Sequence, residues 1–346
     1  MRKLMMIFAL VLVLAVPAFA SEYTAPSAPD TVQPLMPAET ETFGQGLWHV
    51  VKSAVSAVLP ETAAAAGICL AICAIVMLIS VLNGMPGKSK NVTGFVCVLA
   101  ISTVLIGQTN ALIGLGSDTV RELSDYGKLL LPVMTGALAA QGGMTGATAL
   151  YAGTTVFNTI LTTLIGKLLV PMIYTFLVLA IACSATGEEI LKKIRDLLKW
   201  LMTWGLKLIL YIFTGYMTIT GVISGTADAT ALKAAKLTIS GVVPVVGGIL
   251  SDAAEAVVLG AGVMKSAAGI YGVTALLALC ITPFLQIGIQ YLALKLTAAL
   301  CGAFDVKQAS DVVDDFSSAM GLLLGMTGTV CIMLMISVIC FMKGMG

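Results

Sequence analysis

Two carboxylates and three lysines are the residues of this chain best placed to do chemistry, because they fall in apolar stretches where a charge is costly. Asp252 and Glu255 stand three residues apart just after Gly247-Gly248, so on a helix both point to one face. Lys167 and Lys207 sit within or near the ends of apolar runs, and Lys295 follows Gln286 and Gln290. A carboxylate in such a place pairs with a lysine of a neighbouring helix or lines a hydrophilic path, which is the chemistry of ion coupling. The plainer alternative is that the lysines snorkel to the interface and the two acids face water from a loop.

The cysteines and the histidine argue for less. Cys69, Cys73, Cys97, Cys183, Cys280, Cys331 and Cys340 lie inside apolar runs and Cys301 at the edge of one, where cysteine serves as a small hydrophobe. Cys69 and Cys73 are four apart on one helical face, but no further soft ligand follows at a usable spacing. His49 is the single histidine, which excludes multi-histidine metal sites and most His-based acid–base catalysis. There is no Gly-x-x-x-x-Gly-Lys-Ser/Thr, no His-Glu-x-x-His and no Gly-x-Ser-x-Gly. The chain is therefore expected not to be an enzyme, and no cofactor or metal is implied.

The elements that must position these residues belong in a bilayer. Of 346 residues 58% are hydrophobic and 11% charged, where a soluble domain carries roughly 25% charged residues. Mean hydropathy is +1.01 and the isoelectric point about 7.5. A net charge of +1 without a clustered basic face excludes nucleic acid as a partner. Residues 1–20 read as a secretory signal: Arg2 and Lys3, an apolar run from Leu4 to Val16, then Ala18-Phe19-Ala20 before Ser21. Cleavage there leaves an exported, Pro/Thr/Glu-rich flexible tail over 21–42. Over 43–60 the spacing of Leu47, Val50, Val51, Ala54, Val55 and Val58 predicts an amphipathic interfacial helix stopped by Pro60.

Residues 63–346 form the expected transmembrane domain, all-α with seven to eight spans. Ala63–Leu82, Val92–Ile113 and Ser317–Met342 are clean spans of about 20 residues, with the final helix over 317–342. Leu129–Tyr151 is broken by Pro132, Gly136 and Gly142-Gly143, and Ile239–Gly262 by Pro244 and Gly247-Gly248. A shift of about 112 residues lays Pro132 on Pro244 and Pro171 on Pro283, which suggests two repeats, about 92–203 and 204–315. Pro and Gly free backbone groups that lipid cannot satisfy, so paired breaks point to a pathway or to close packing through small residues. Lys88 and Lys90 favour the cytoplasm, as do Lys192, Lys193, Arg195 and Lys199 on the amphipathic helix Glu188–Trp200. An even number of crossings must then separate them. A re-entrant Leu129–Tyr151 supplies that number; a full span there gives three crossings and inverts the repeats. The charge argument favours the re-entrant form.

The stretch from Ser240 to Gly260 with its Pro-x-x-Gly-Gly core, followed by Lys265, Gly269–Gly272, Pro283 and the block from Asp305 to Gly346, resembles the stage III sporulation protein AE family of endospore-forming bacteria. The resemblance implies the large polytopic subunit of a transenvelope, secretion-like complex in the mother-cell membrane facing the forespore. It also implies partners: a cytoplasmic ATPase and ring-forming membrane proteins, with self-association of copies a further expectation. In that setting Glu188–Trp200 and Asp305–Ser318 would be partner contacts on a conduit or scaffold. The competing reading is a stand-alone secondary transporter with its site between the Pro132 and Pro244 segments.

Overall fold

The computed structural model of the chain describes residues 26–36, 43–83, 90–140, 144–219 and 267–344. All regular structure among them is helical, as expected for an all-α membrane protein. The helices are α1 (Phe43–Asn83), α2 (Lys90–Ala140), α3 (Met144–Leu164), α4 (Val170–Thr186), α5 (Glu189–Ile219), α6 (Ala267–Ala303) and α7 (Lys307–Gly344), with a short 3-10 turn at Gln33–Leu35. A π-helical turn, Ile165–Leu169, joins α3 to α4. Pro171 has no N–H to offer the carbonyl of Lys167, four residues back. The register shifts there instead, and the Val170 N–H bonds the Ile165 carbonyl.

Among the described residues, six stretches are long and apolar enough to cross a membrane: Gly44–Asn83, Val92–Ala139, Gly146–Thr186, Glu189–Thr218, Gly269–Ala303 and Lys307–Met342. The expected segment Ile239–Gly262 lies outside the described residues, as does the signal over 1–20. Long-range hydrogen bonds fix how the helices run. Ser124 with Asn158 and Asn110 with Tyr174 make α2 and α3–α4 an antiparallel hairpin. Tyr291 with Ser317 and Ala298 with Ser310 do the same for α6 and α7. Arg195 with Asp315 and Lys199 with Ser318 set α5 parallel to α7. Cys69 with Ala293 and Ser80 with Phe304, both 224 residues apart, set α1 parallel to α6. The axis of the bundle belongs to α7, buried without interruption from Asp315 to Met335.

Several expectations are corrected. The helix expected to stop at Pro60 runs through it to Asn83, since a helix that packs along its length re-satisfies the group a proline frees. The tail is not flexible throughout: Ala28 and Val32 are buried, the Ala28 N–H donates to the Tyr271 hydroxyl at 3.1 Å, and the Tyr126 hydroxyl donates to the Pro26 carbonyl at 3.3 Å. The segment Leu129–Tyr151 is neither re-entrant nor a separate span. Its first part completes α2, a single helix of 51 residues with Pro132 inside it, and its last part begins α3. Two long apolar stretches, α2 and α3–α4, thus separate the two basic segments, the even number that the charge argument asks for. The 112-residue shift lays α4 on α6 and α5 on α7, pairs that run in the same direction, so these elements are not inverted copies. Nor do superposed prolines act alike, because Pro283 sits in an unbroken α-helix while Pro171 follows the π turn.

Candidate functional site

One end of the bundle gathers the α4–α5 turn, the end of α6 and the start of α7 around a charged cleft of about 690 Å³. Its walls are set by two chain reversals. α4 ends on Gly187, left-handed at φ 76°, whose N–H caps the Cys183 carbonyl at 2.8 Å. α5 then opens with Glu189, an acid at the positive end of the helix dipole. Just past the end of α6 stands Asp305, left-handed at φ 59°, a conformation aspartate tolerates better than most side chains. The N–H groups of Phe304, Asp305 and Val306 return to the Leu300, Gly302 and Cys301 carbonyls, and α7 starts at Lys307.

Asp314 and Asp315 lie about 100° apart around α7 and so reach different neighbours. Asp315 accepts from Arg195 of α5 at 2.6 Å, with the two side chains 10% and 11% exposed. Arg195 also holds Asp196 at 2.9 Å. One turn further along, Lys199 donates to Ser318 at 2.9 Å. Asp314 accepts from Lys295 of α6 in a more exposed pair. The two aspartates therefore clamp α7 between α5 and α6. Glu189, Lys192, Lys307 and Asp311 line the same cleft, and the buried Ser184 hydroxyl beside them has no hydrogen-bond partner. With four cationic and four anionic side chains on its wall, the cleft suits a partner bearing both signs better than a simple ion.

Lys295 is the one sequence candidate in this cleft. Lys167, in the π turn, and Lys207, on α5, are exposed on other faces, so the three lysines do not converge. Pro132 is exposed and Gly136 half-buried on α2. Gly142, Gly143, Pro244, Gly247, Gly248, Asp252 and Glu255 lie outside the described residues. Arg195 belongs to the amphipathic segment Glu188–Trp200, and Asp314 and Asp315 to Asp305–Ser318, the two segments expected to be partner contacts, but the sequence does not single out these three residues. A signal for them was present: Arg195 and Lys199 fall on the same helical face as Met202, Leu206 and Phe213, all three buried. Deeper in the bundle, polar side chains pair between helices, Gln108 with Gln290 at 3.2 Å and Thr154 with Ser337 at 3.0 Å, as membrane helices commonly do.

The family model described as stage III sporulation protein AE matches residues 34–344. The stage III sporulation protein AE of Bacillus subtilis (strain 168) is 24% identical over 231 residues, which cover 66% of this chain and 57% of that protein's length. No solved structure matches the chain.

Proposed function

The chain belongs to the stage III sporulation protein AE family, and from that premise we propose that it is the large polytopic membrane subunit of a complex linking mother cell and forespore. In this reading it acts as scaffold or conduit, and any energy comes from a cytoplasmic ATPase partner, since no nucleotide-binding motif is present. It is not an enzyme, and ring-forming membrane proteins complete the assembly. The N-terminus is exported after signal cleavage, and the charged end of the bundle faces the mother-cell cytoplasm.

The observation that carries the proposal is the family match over nearly the whole chain. Two features of the bundle support it. The segments expected to contact partners, Glu188–Trp200 and Asp305–Ser318, meet in one cleft and offer a single docking face. The centre of the protomer is filled by α7, so any passage in this reading is built with other subunits.

Deleting the gene is expected to abolish sporulation, and the tagged protein is expected to co-isolate with other subunits of the complex from sporulating cells. Within the cleft, the charge reversal Asp311→Lys is expected to weaken that co-isolation while the protein stays in the membrane. Substrate uptake by the purified protein alone in liposomes, abolished by Asp252→Asn, would instead establish the stand-alone transporter and overturn the proposal.

A further inference from the structure

The outward face of α5 carries Ile190, Ile194, Leu197, Leu201, Trp204 and Leu208, all exposed, from 37% at Leu208 to 69% at Ile190. The steps between them are four, three, four, three and four residues. That is an unbroken heptad seam over about two and a half repeats, with no polar residue at any seam position. A surface turned to lipid needs apolar residues but has no reason to keep a 3.5-residue period; a surface turned to another helix does.

The seam also crosses a boundary that lipid would respect. Its first three members lie among Lys192, Lys193, Arg195, Asp196 and Lys199, in the charged half of α5. That half cannot lie flat on the bilayer, because its opposite face is fixed to α7 through Arg195 with Asp315 and Lys199 with Ser318. Trp200, beside the seam, stacks on the seam member Trp204 with ring centroids 5.8 Å apart, which stiffens its middle.

We propose that this seam is a homodimer interface, occupied by α5 of a second copy of this chain. Two copies in one membrane share an orientation, so a twofold pairing brings the two helices together in parallel. In a parallel pair the flanking Lys193 and Lys207 face the partner's Leu198 and Ile212, and no like charges meet. In an antiparallel pair the same lysines would confront each other. Six large side chains, each about half exposed, offer on the order of 600 Å² per protomer, approaching the roughly 800 Å² per partner of a stable interface.

Disulfide cross-linking of the full chain in its native membrane tests this, in a background with the eight native cysteines replaced. Ile194→Cys, Leu197→Cys, Leu201→Cys and Trp204→Cys are expected to give covalent dimers roughly an order of magnitude faster than Lys192→Cys and Thr203→Cys, whose Cα atoms would be too far from their counterparts to bridge. Equal rates at all six positions, or cross-links to a different protein only, would overturn the proposal. A second measurement uses the unmodified chain in detergent: it is expected to sediment as a dimer, and Leu197→Arg as a monomer of unchanged helicity. A monomeric wild-type chain would equally overturn it.

Discussion

Asp314 and Asp315 show how one helix can hold two others through adjacent residues of the same type. Their surroundings differ, and so should the consequences of losing each contact. The Arg195–Asp315 pair is about 90% buried, and removing Arg195 strands the Asp315 carboxylate with little water to solvate it, at a cost of about 3–5 kcal/mol. Arg195→Ala is therefore expected to lower stability against denaturant by that amount, and Asp315→Asn by less, because Arg195 keeps Asp196. Lys295→Ala breaks a pair that is more than 40% exposed and is expected to cost less than about 1 kcal/mol. Equal losses at the two pairs would refute the clamp. Glycines permit a second residue-level contrast. A Cβ at Gly153 would come within 2.1 Å of the Tyr216 ring, whereas one at Gly107 meets nothing within 4 Å. Tyr216 is held by its hydroxyl on the Ala149 carbonyl at 2.8 Å and cannot simply swing away. Gly153→Ala is expected to destabilise by about 1–3 kcal/mol, and Gly107→Ala to be neutral or slightly stabilising, both measured as shifts in unfolding midpoint.

At the scale of elements, the longest helix raises the sharpest question of placement. With 51 residues, α2 extends about 76 Å, more than twice the roughly 30 Å of a hydrocarbon core. Its outer face divides in two. Val92, Phe95, Val96, Leu99 and Ile106 are exposed along the first half, and Asp118, Arg121, Glu122, Asp125 and Lys128 along the second. Charges on an outer face are not tolerated in lipid, so the second half is expected to stand in water. A membrane-impermeant maleimide should label Asp125→Cys and leave Leu99→Cys unlabelled; protection at Asp125→Cys would place the helix differently. Hydropathy alone could find the apolar half, and it did, as Val92–Ile113. It could not join that span to Leu129–Ala140, because Pro132 and the intervening charges look like a loop until the buried inner face of Leu123, Tyr126 and Leu130 is seen packed against neighbours. Pro60 misled for the same reason. A proline announces a lost hydrogen bond, but whether the helix ends there is decided by packing on either side, which is information from other parts of the chain. Lys295 was legible as an out-of-place charge, while its partner Asp314, nineteen residues on, depended on the α6–α7 reversal at Asp305.

For the molecule as a whole, the directions of the helices leave it with two unlike ends. α1, α3–α4 and α6 run one way, and α2, α5 and α7 the other. The starts of α1 and α6, the ends of α2, α5 and α7, and the segment 26–36 bound to Tyr126 and Tyr271 therefore share one end. The α4–α5 turn, the α6–α7 turn and the charged cleft share the opposite one. With the N-terminus exported as proposed, the first end lies outside and the cleft inside, which is also what the basic residues near the cleft favour. The consequence is a fixed sidedness for residues far apart in sequence. In intact non-sporulating cells that express the chain, where the exported face meets the medium, an impermeant thiol reagent is expected to reach Lys52→Cys and Asp125→Cys, while Lys192→Cys and Asp311→Cys react only after permeabilisation, each in a background without the native cysteines. Because α7 returns to the first end, a tag placed after Gly346 should be protease-accessible from outside, like the segment 26–36. Labelling of Lys192→Cys in intact cells would place the cleft on the exported face, and with it would go the proposal that the cleft receives a cytoplasmic partner.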